Sequence, residues 1–548
     1  MADGHGGNHA VAVARAHGIE TMFTLSGAHV FPMYDGAVTA DEPMRLVDVR
    51  HEQTAVFAAE ATAKLTRRPG LAVLTAGPGV TNGISAVTSA WFNGSPLLVV
   101  GGRAPAYRWG TGSLQELDHP PLLAPVTKRA ATVGSVERIA TEVDEALRLA
   151  SAPHRGPVFL DVPMDQFFSR ADVELPGAPA RERQEPDQDA IKSIAGLLAA
   201  AERPVLVIGS DVWADGAEEA ALRLAETAGL PVITNGMGRG ILPAGHPLLV
   251  TRARSVAFGQ ADLVVVAGAP LDFRLGYGIF GGKDDRVPAP VVHLADSPGQ
   301  IAGHVDLAGS ASGDLGLVLD GLLAAWQANA RQGQYDAWVQ LLQGAVRNTA
   351  LQDQSILRSD ADPIHPGRVY GELRSRLAED AVVIGDGGDF VSFAGKYVEP
   401  ARPGGWLDPG PYGCLGTGLG YAIAARIARP SSQVVLMLGD GAAGFSLMDV
   451  DTLVRHKLPV VMVVGNNSGW GLEKHPMRML YGYDVAAELG SQTRYDEVAR
   501  ALGGAGELVT KPAEIGPALD RAFASGVPYL VNVVTDPEVA YPRATTGI

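Results

Sequence analysis

Val434-Val-Leu-Met-Leu-Gly-Asp-Gly-Ala442, followed by Val460-Val-Met-Val-Val-Gly-Asn-Asn-Ser-Gly469, decides how this chain folds. Each half opens with an unbroken β-branched and apolar run, the signature of a strand buried on both faces of a parallel sheet. Each run then stops on glycine and a side chain that carries oxygen. Asn467 follows Asp440 by 27 residues, room for a crossover helix, expected at Ser446 to His456, and a return strand. The two loops therefore belong at neighbouring strand ends, where open α/β sheets bind ligands. Asp440 offers a hard carboxylate oxygen, and an Asn467 amide with a Gly469 carbonyl would complete a protein share of an octahedral Mg²⁺ shell. Gly439, Gly441 and Ala442 are small enough to let backbone N–H groups approach a diphosphate. The plain alternative is a tight turn and a loop. Gly385-Asp386-Gly387 illustrates it: the triplet also follows a strand, yet no Asn pair lies 27 residues beyond Asp386.

The same alternation extends outward through all 548 residues. Strands are expected at Leu71 to Thr75 and Pro96 to Val100, with a helix at Glu52 to Lys64. Further strands are expected at Pro204 to Ile208, Pro231 to Thr234, Leu263 to Ala267 and Pro290 to Leu294. The last group comprises Ala381 to Ile384, Gln433 to Leu438, Pro459 to Val464 and Tyr529 to Val534. A polar, proline-rich stretch from Pro176 to Gln188 reads as a linker. The fold class is α/β, in three domains of residues 1–175, 189–345 and 364–548, each a mostly parallel sheet flanked by helices.

A net charge of −16 argues against a nucleic-acid surface. The apolar runs are far shorter than the ~20 residues of a membrane span. The lone Cys414 excludes an intrachain disulfide and a cysteine metal site. With no basic-then-apolar leader at the start, these features predict a cytoplasmic protein.

The pairing of Gly439-Asp440-Gly441 with Asn466-Asn467 resembles the cofactor motif of thiamine-diphosphate enzymes, the family of acetolactate synthases, pyruvate decarboxylases, oxalyl-CoA decarboxylases and 2-hydroxyacyl-CoA lyases. The resemblance covers nearly the whole chain and implies the thiamine-diphosphate-binding fold, with Asp440, Asn467 and the Gly469 carbonyl holding Mg²⁺. Glu52, in Val47-Asp-Val-Arg-His-Glu-Gln-Thr-Ala55, is similar to the family's activating glutamate. That residue hydrogen-bonds the cofactor's pyrimidine ring and must exchange a proton. Pro411-Tyr-Gly-Cys-Leu-Gly-Thr-Gly418 resembles the segment that bends the cofactor, with Leu415 as the wedge and the Gly413 carbonyl as acceptor. In the family the first and last domains of two subunits complete each site, so a homodimer or homotetramer is implied.

Ser113-Leu-Gln-Glu116 resembles a segment shared by the synthases and the lyases, and implies that Gln115 polarises a substrate oxygen. Leu114 stands where the synthases carry phenylalanine. Leu407-Asp-Pro-Gly410 resembles the CoA-linked branch, and Asn467 to Lys474 lacks the synthases' Gln-Trp-Glu segment. In the middle domain, Gly268 to Gly276 resembles a nucleotide-contacting loop. There ADP or CoA is expected, with FAD open beside them, and Arg274 is either a phosphate's partner or half of a surface ion pair. The tail carries Arg543, a second candidate for phosphate contact, on either a flap over the site or an unstructured end. Glu473 is a candidate proton-transfer group. On this pattern the expected activity is that of a 2-hydroxyacyl-CoA lyase, releasing formyl-CoA from an acyl-CoA. The alternative is an acetolactate synthase large subunit condensing the 2-keto acid pyruvate, and the third reading is an oxalyl-CoA decarboxylase. A non-catalytic relative is disfavoured because Glu52 and Asp440 are both present.

Overall fold

The computed structural model describes residues 2–177, 183–282, 287–328, 333–491 and 493–541. Three fully parallel sheets account for the fold. The first runs Arg45–Asp48, Thr21–Thr24, Gly70–Leu74, Leu97–Arg103, Pro157–Pro163 and Ala130–Thr132 across its width. The middle sheet has five strands, ordered Val232–Thr234, Pro204–Ile208, Leu263–Ala267, Val291–Ala295 and Gly309–Ser312. The last runs Trp406–Leu407, Val382–Asp386, Val434–Gly439, Val461–Asn466, Tyr529–Val534 and Ala505–Val509. One antiparallel pair, Ala2–His5 with Arg170–Val173, closes the first domain.

Numbered in chain order within each six-stranded sheet, the first and last sheets share one strand order, 2-1-3-4-6-5. They are two copies of one architecture, a kinship that their residues do not display. Equivalent helices of the two copies, Glu52–Thr66 and Thr417–Ala428, pack directly on one another. Their facing residues are small because the backbones come close. A Cβ on Gly420 would lie 2.8 Å from the Phe57 Cβ and 2.9 Å from the Thr54 carbonyl oxygen. Beside that contact the rings of Phe57 and Tyr421 meet edge to face at 6.1 Å. The apolar core therefore runs unbroken from the first domain into the third.

Most expected strands stand within one or two residues of their expected bounds. The crossover helix does not. Helix Asp440–Ser446 begins at Asp440 itself, directly after the strand, and a second short helix, Val450–Arg455, follows a turn at Leu447–Asp449. Ser446 is thus a helix end and not a helix start.

Replacing Gly420 with valine drives a branched side chain into Phe57 and Thr54. We expect Gly420→Val to cost about 1–3 kcal/mol, read as a lowered denaturant midpoint.

Candidate active site

Three adjacent strands of the last sheet, Val382–Asp386, Val434–Gly439 and Val461–Asn466, end side by side; Asp386 pairs in register with Leu438, and Gly439 with Gly465. Their loops enclose a cleft of about 260 Å³ lined by Gly439, Asp440, Gly441, Ala442, Asn467 and Gly469, together with Gly413, Leu415 and Glu473. The structure thus brings together every residue expected to hold metal and diphosphate.

Asp440 is buried, and burial raises its carboxyl to about 6 against the opposing N–H groups of Gly441, Ser468 and Gly469. Gly441 N donates to Asp440 Oδ1 at 2.9 Å and Gly469 N to Oδ2 at 3.3 Å. A carboxylate in such a place lacks a positive partner, which a divalent ion would supply. The two asparagines divide their work. Asn466 is tied into the fold, donating to the Thr493 carbonyl at 3.1 Å and to Asn532 Oδ1 at 3.2 Å. Asn467 faces the cleft. A Cβ on Gly441 would sit 2.4 Å from the Trp470 ring, so this indole closes one wall and admits only glycine beneath it. This set of hard oxygens and small residues fits a metal–diphosphate group.

Asp386, set aside above as part of a simple turn, anchors the other wall. It is fully buried, pushed up to about 7 by burial, and accepts the N–H groups of Gly416 at 3.1 Å and Gly418 at 2.8 Å. Those bonds hold the chain directly after Leu415. The signal that could have found it was the strand before Gly385-Asp386-Gly387; the search for an Asn partner hid it.

Glu52 and Gln115 lie elsewhere: neither lines this cleft. Glu52 opens helix Glu52–Thr66, is 8% exposed, and accepts Asn82 Nδ2 at 3.0 Å. Gln115, at φ 59°, backs onto Gly77 just before helix Pro78–Phe92, which carries Asn82. These residues form a second cluster within the first domain.

A further cleft of about 490 Å³ separates the first and middle domains, with Phe92, Phe273, Lys128 and Arg274 among its lining. Arg274 donates to Asp272 through Nε at 3.0 Å and Nη2 at 2.8 Å. A nucleotide phosphate there would have to draw it off that carboxylate. His154, Asp211 and Asp296 form a candidate metal-binding cluster in this region, with one ligand atom each inside 4.8 Å. His154 Nδ1 is already bonded to Asp296 at 3.0 Å, and Arg155 lies 3.5 Å from the same carboxylate. Burial raises the Asp211 carboxyl. This cluster is separate from the Asp440 cleft. Arg543 lies outside the described residues.

Comparison with known proteins names the class. Residues 386–533 match the thiamine pyrophosphate enzyme C-terminal TPP binding domain, residues 4–122 its N-terminal TPP binding domain and residues 191–322 its central domain. The chain belongs to the thiamine-pyrophosphate-dependent enzymes. Within that class it is 51% identical to the acetolactate synthase large subunit IlvG of Mycobacterium tuberculosis, over 98% of this chain and 97% of the relative. The 2-hydroxyacyl-CoA lyase 2 of Caenorhabditis elegans is 34% identical, over 92% of this chain and 84% of its own, and the human one 33%, over 93% and 86%.

These identities overturn the expected likeness to 2-hydroxyacyl-CoA lyase and the activity drawn from it. The features that suggested the lyase have local explanations. Asp408 of Leu407-Asp-Pro-Gly410 holds its own turn, accepting Trp406 Nε1 at 2.7 Å and Gly410 N at 2.9 Å. Leu114 is 78% exposed and lines neither cleft. Among the described residues no helix is long and apolar enough to cross a membrane.

In Gly441→Ala the added methyl must displace Trp470. The expected result is a change in tryptophan emission and about tenfold weaker thiamine diphosphate uptake, the equivalent of about 1.4 kcal/mol of overpacking.

Proposed function

We propose that this chain is a synthase of the acetolactate type, joining two molecules of a 2-keto acid such as pyruvate with loss of carbon dioxide. The observation that carries this reading is 51% identity across 98% of the chain to a protein named acetolactate synthase large subunit. The oxygen-lined cleft at Asp440 supports it by supplying the donor set its cofactor requires.

Thiamine diphosphate, when bound, supplies the electron sink for decarboxylation and a nucleophilic carbon for the new bond. This chain's residues would do the rest. Asp440, the Asn467 amide and the Gly469 carbonyl would hold Mg²⁺, while the small residues Gly439, Gly441 and Ala442 would let the diphosphate approach the backbone. Leu415 would sit between the two rings, with the Gly413 carbonyl accepting from the ring amine. Glu52 would hold a proton against the pyrimidine, from a site where water is scarce. Gln115 would orient the substrate carbonyl by hydrogen bonding, and Glu473 would move a proton within the cleft.

The active form in this reading is a homodimer or a dimer of dimers, each site completed across the interface. Two observations support it. The Glu52 cluster and the Asp440 cleft share no lining residue within one chain. Large apolar side chains stand exposed on both domains, including Tyr107 and Leu114 on the first and Met448 and Tyr481 on the last. The ADP, CoA or FAD expectation concerns the middle cleft, and no reaction step here passes through it.

With Mg²⁺ and thiamine diphosphate, the purified protein should convert pyruvate to acetolactate; carbon dioxide release without that product, or no turnover of any 2-keto acid, would refute the reading. Glu52→Gln should lower kcat by about 10²–10⁴-fold while cofactor affinity stays near wild type. Dilution to monomers should abolish activity, and a fully active monomer would contradict the shared site.

A further inference from the structure

Beneath Gln115 lies a buried relay that the reaction as described does not use. His119 is fully buried three residues after Glu116. Its Nε2 accepts the Gly77 N–H at 3.0 Å. A backbone N–H can only donate, so Nε2 keeps its lone pair and the ring hydrogen sits on Nδ1. Nδ1 in turn donates to Asp161 Oδ2 at 2.9 Å. Asp161, also fully buried, takes Arg103 Nη1 on the same oxygen at 2.8 Å. Arg103 is held from above by the Trp109 ring, 3.8 Å away, and reaches Asp118 Oδ1 at 3.0 Å.

The far end of this chain of bonds meets strained backbone. Gly77 has φ 59° and ψ −114°, a conformation that side chains resist. A Cβ there would stand 2.9 Å from the Cβ of Gln115, which itself has φ 59°, rare for a residue that is not glycine. Two strained residues pressed back to back persist only where their surroundings over-determine them. The bond from Gly77 to His119 is such a constraint, and Gly77 also begins the helix that brings Asn82 to Glu52.

We propose that His119 is a positioning residue: Arg103 and Asp161 select its Nδ1–H tautomer, and the ring then pins Gly77 so that Gln115 is held toward the substrate. Asp161 acts on His119 as an orienting carboxylate acts on a catalytic imidazole, although here the imidazole holds backbone and moves no proton. The proposal rests on the reading that Gln115 faces the substrate.

The test compares His119→Gln, His119→Asn and Asp161→Asn with Gln115→Ala, measuring kcat and KM for pyruvate and thiamine diphosphate affinity in each. A glutamine oxygen reaches roughly the place of Nε2 and can still accept from Gly77; an asparagine oxygen is too short. Asp161→Asn lets the ring flip its hydrogen to Nε2, against the Gly77 N–H. His119→Asn and Asp161→Asn should lose about 30-fold or more in kcat/KM, mainly in kcat, with cofactor affinity unchanged. His119→Gln should stay within about fivefold of wild type. Equal losses in the Asn and Gln variants, a role in bulk stability only, would overturn the proposal. Wild-type activity in Gln115→Ala would instead sink the reading of Gln115 on which it rests. Should His119→Asn fail to fold, hydrogen exchange of the Gly77 amide in the wild-type protein decides: strong protection is expected, and exchange at the rate of an open loop refutes the relay.

Discussion

Close approach of two helix backbones governs the rest of this molecule. Glu52–Thr66 and Thr417–Ala428 touch where Gly420 faces Phe57 and Thr54, and no larger residue fits there without displacing main chain. The contact joins equivalent parts of two identically ordered sheets and runs one apolar core between them. It is reinforced at the helix starts. Thr54 Oγ1 donates to Asp449 Oδ2 at 2.7 Å, Arg50 N to Asp449 Oδ1 at 2.8 Å, and Gln53 Nε2 to the Phe445 carbonyl at 3.1 Å. The residues next to Glu52 are thereby occupied with structure, while its own carboxylate accepts from Asn82.

At the sheet edge the constraint is electrostatic. Asp440 and Asp386 are both buried carboxyls raised by desolvation, yet their surroundings separate their roles. Both accept backbone N–H groups, Asp386 from Gly416 and Gly418 and Asp440 from Gly441 and Gly469, but Asp386 does not line the cleft. Asp440 sits in an open cleft beside Asn467 and the Gly469 loop, where a cation can approach. Burial of an unneutralised carboxyl costs free energy that a bound divalent ion would recover.

Much of the site was readable because its chemistry is local. Strand, Gly-Asp-Gly, crossover, strand, Asn-Asn is a short pattern with a physical requirement at each position, and Asp440, Asn467 and Gly469 converge as it demands. Asp386 and His119 were not readable in this way. Their partners lie 30 and 42 residues distant, at Gly416 and at both Gly77 and Asp161, and no spacing rule links them. The choice between lyase and synthase failed for a related reason. Leu114 and the Leu407 to Gly410 turn point to the lyase branch only as short segments, whereas in the fold Leu114 is exposed and Asp408 satisfies polar groups of its own turn.

By itself the sequence determined the α/β class, the three-domain plan and the cofactor motif, since strand periodicity and glycine-bounded donor residues act over a few residues of chain. Tertiary structure alone decided that the first and last domains share one strand order, which of the two aspartates lines the cleft, and that Glu52 does not line the Asp440 cleft within one chain. Those outcomes depend on which distant segments pack together, and packing is set by shape and burial across the whole core.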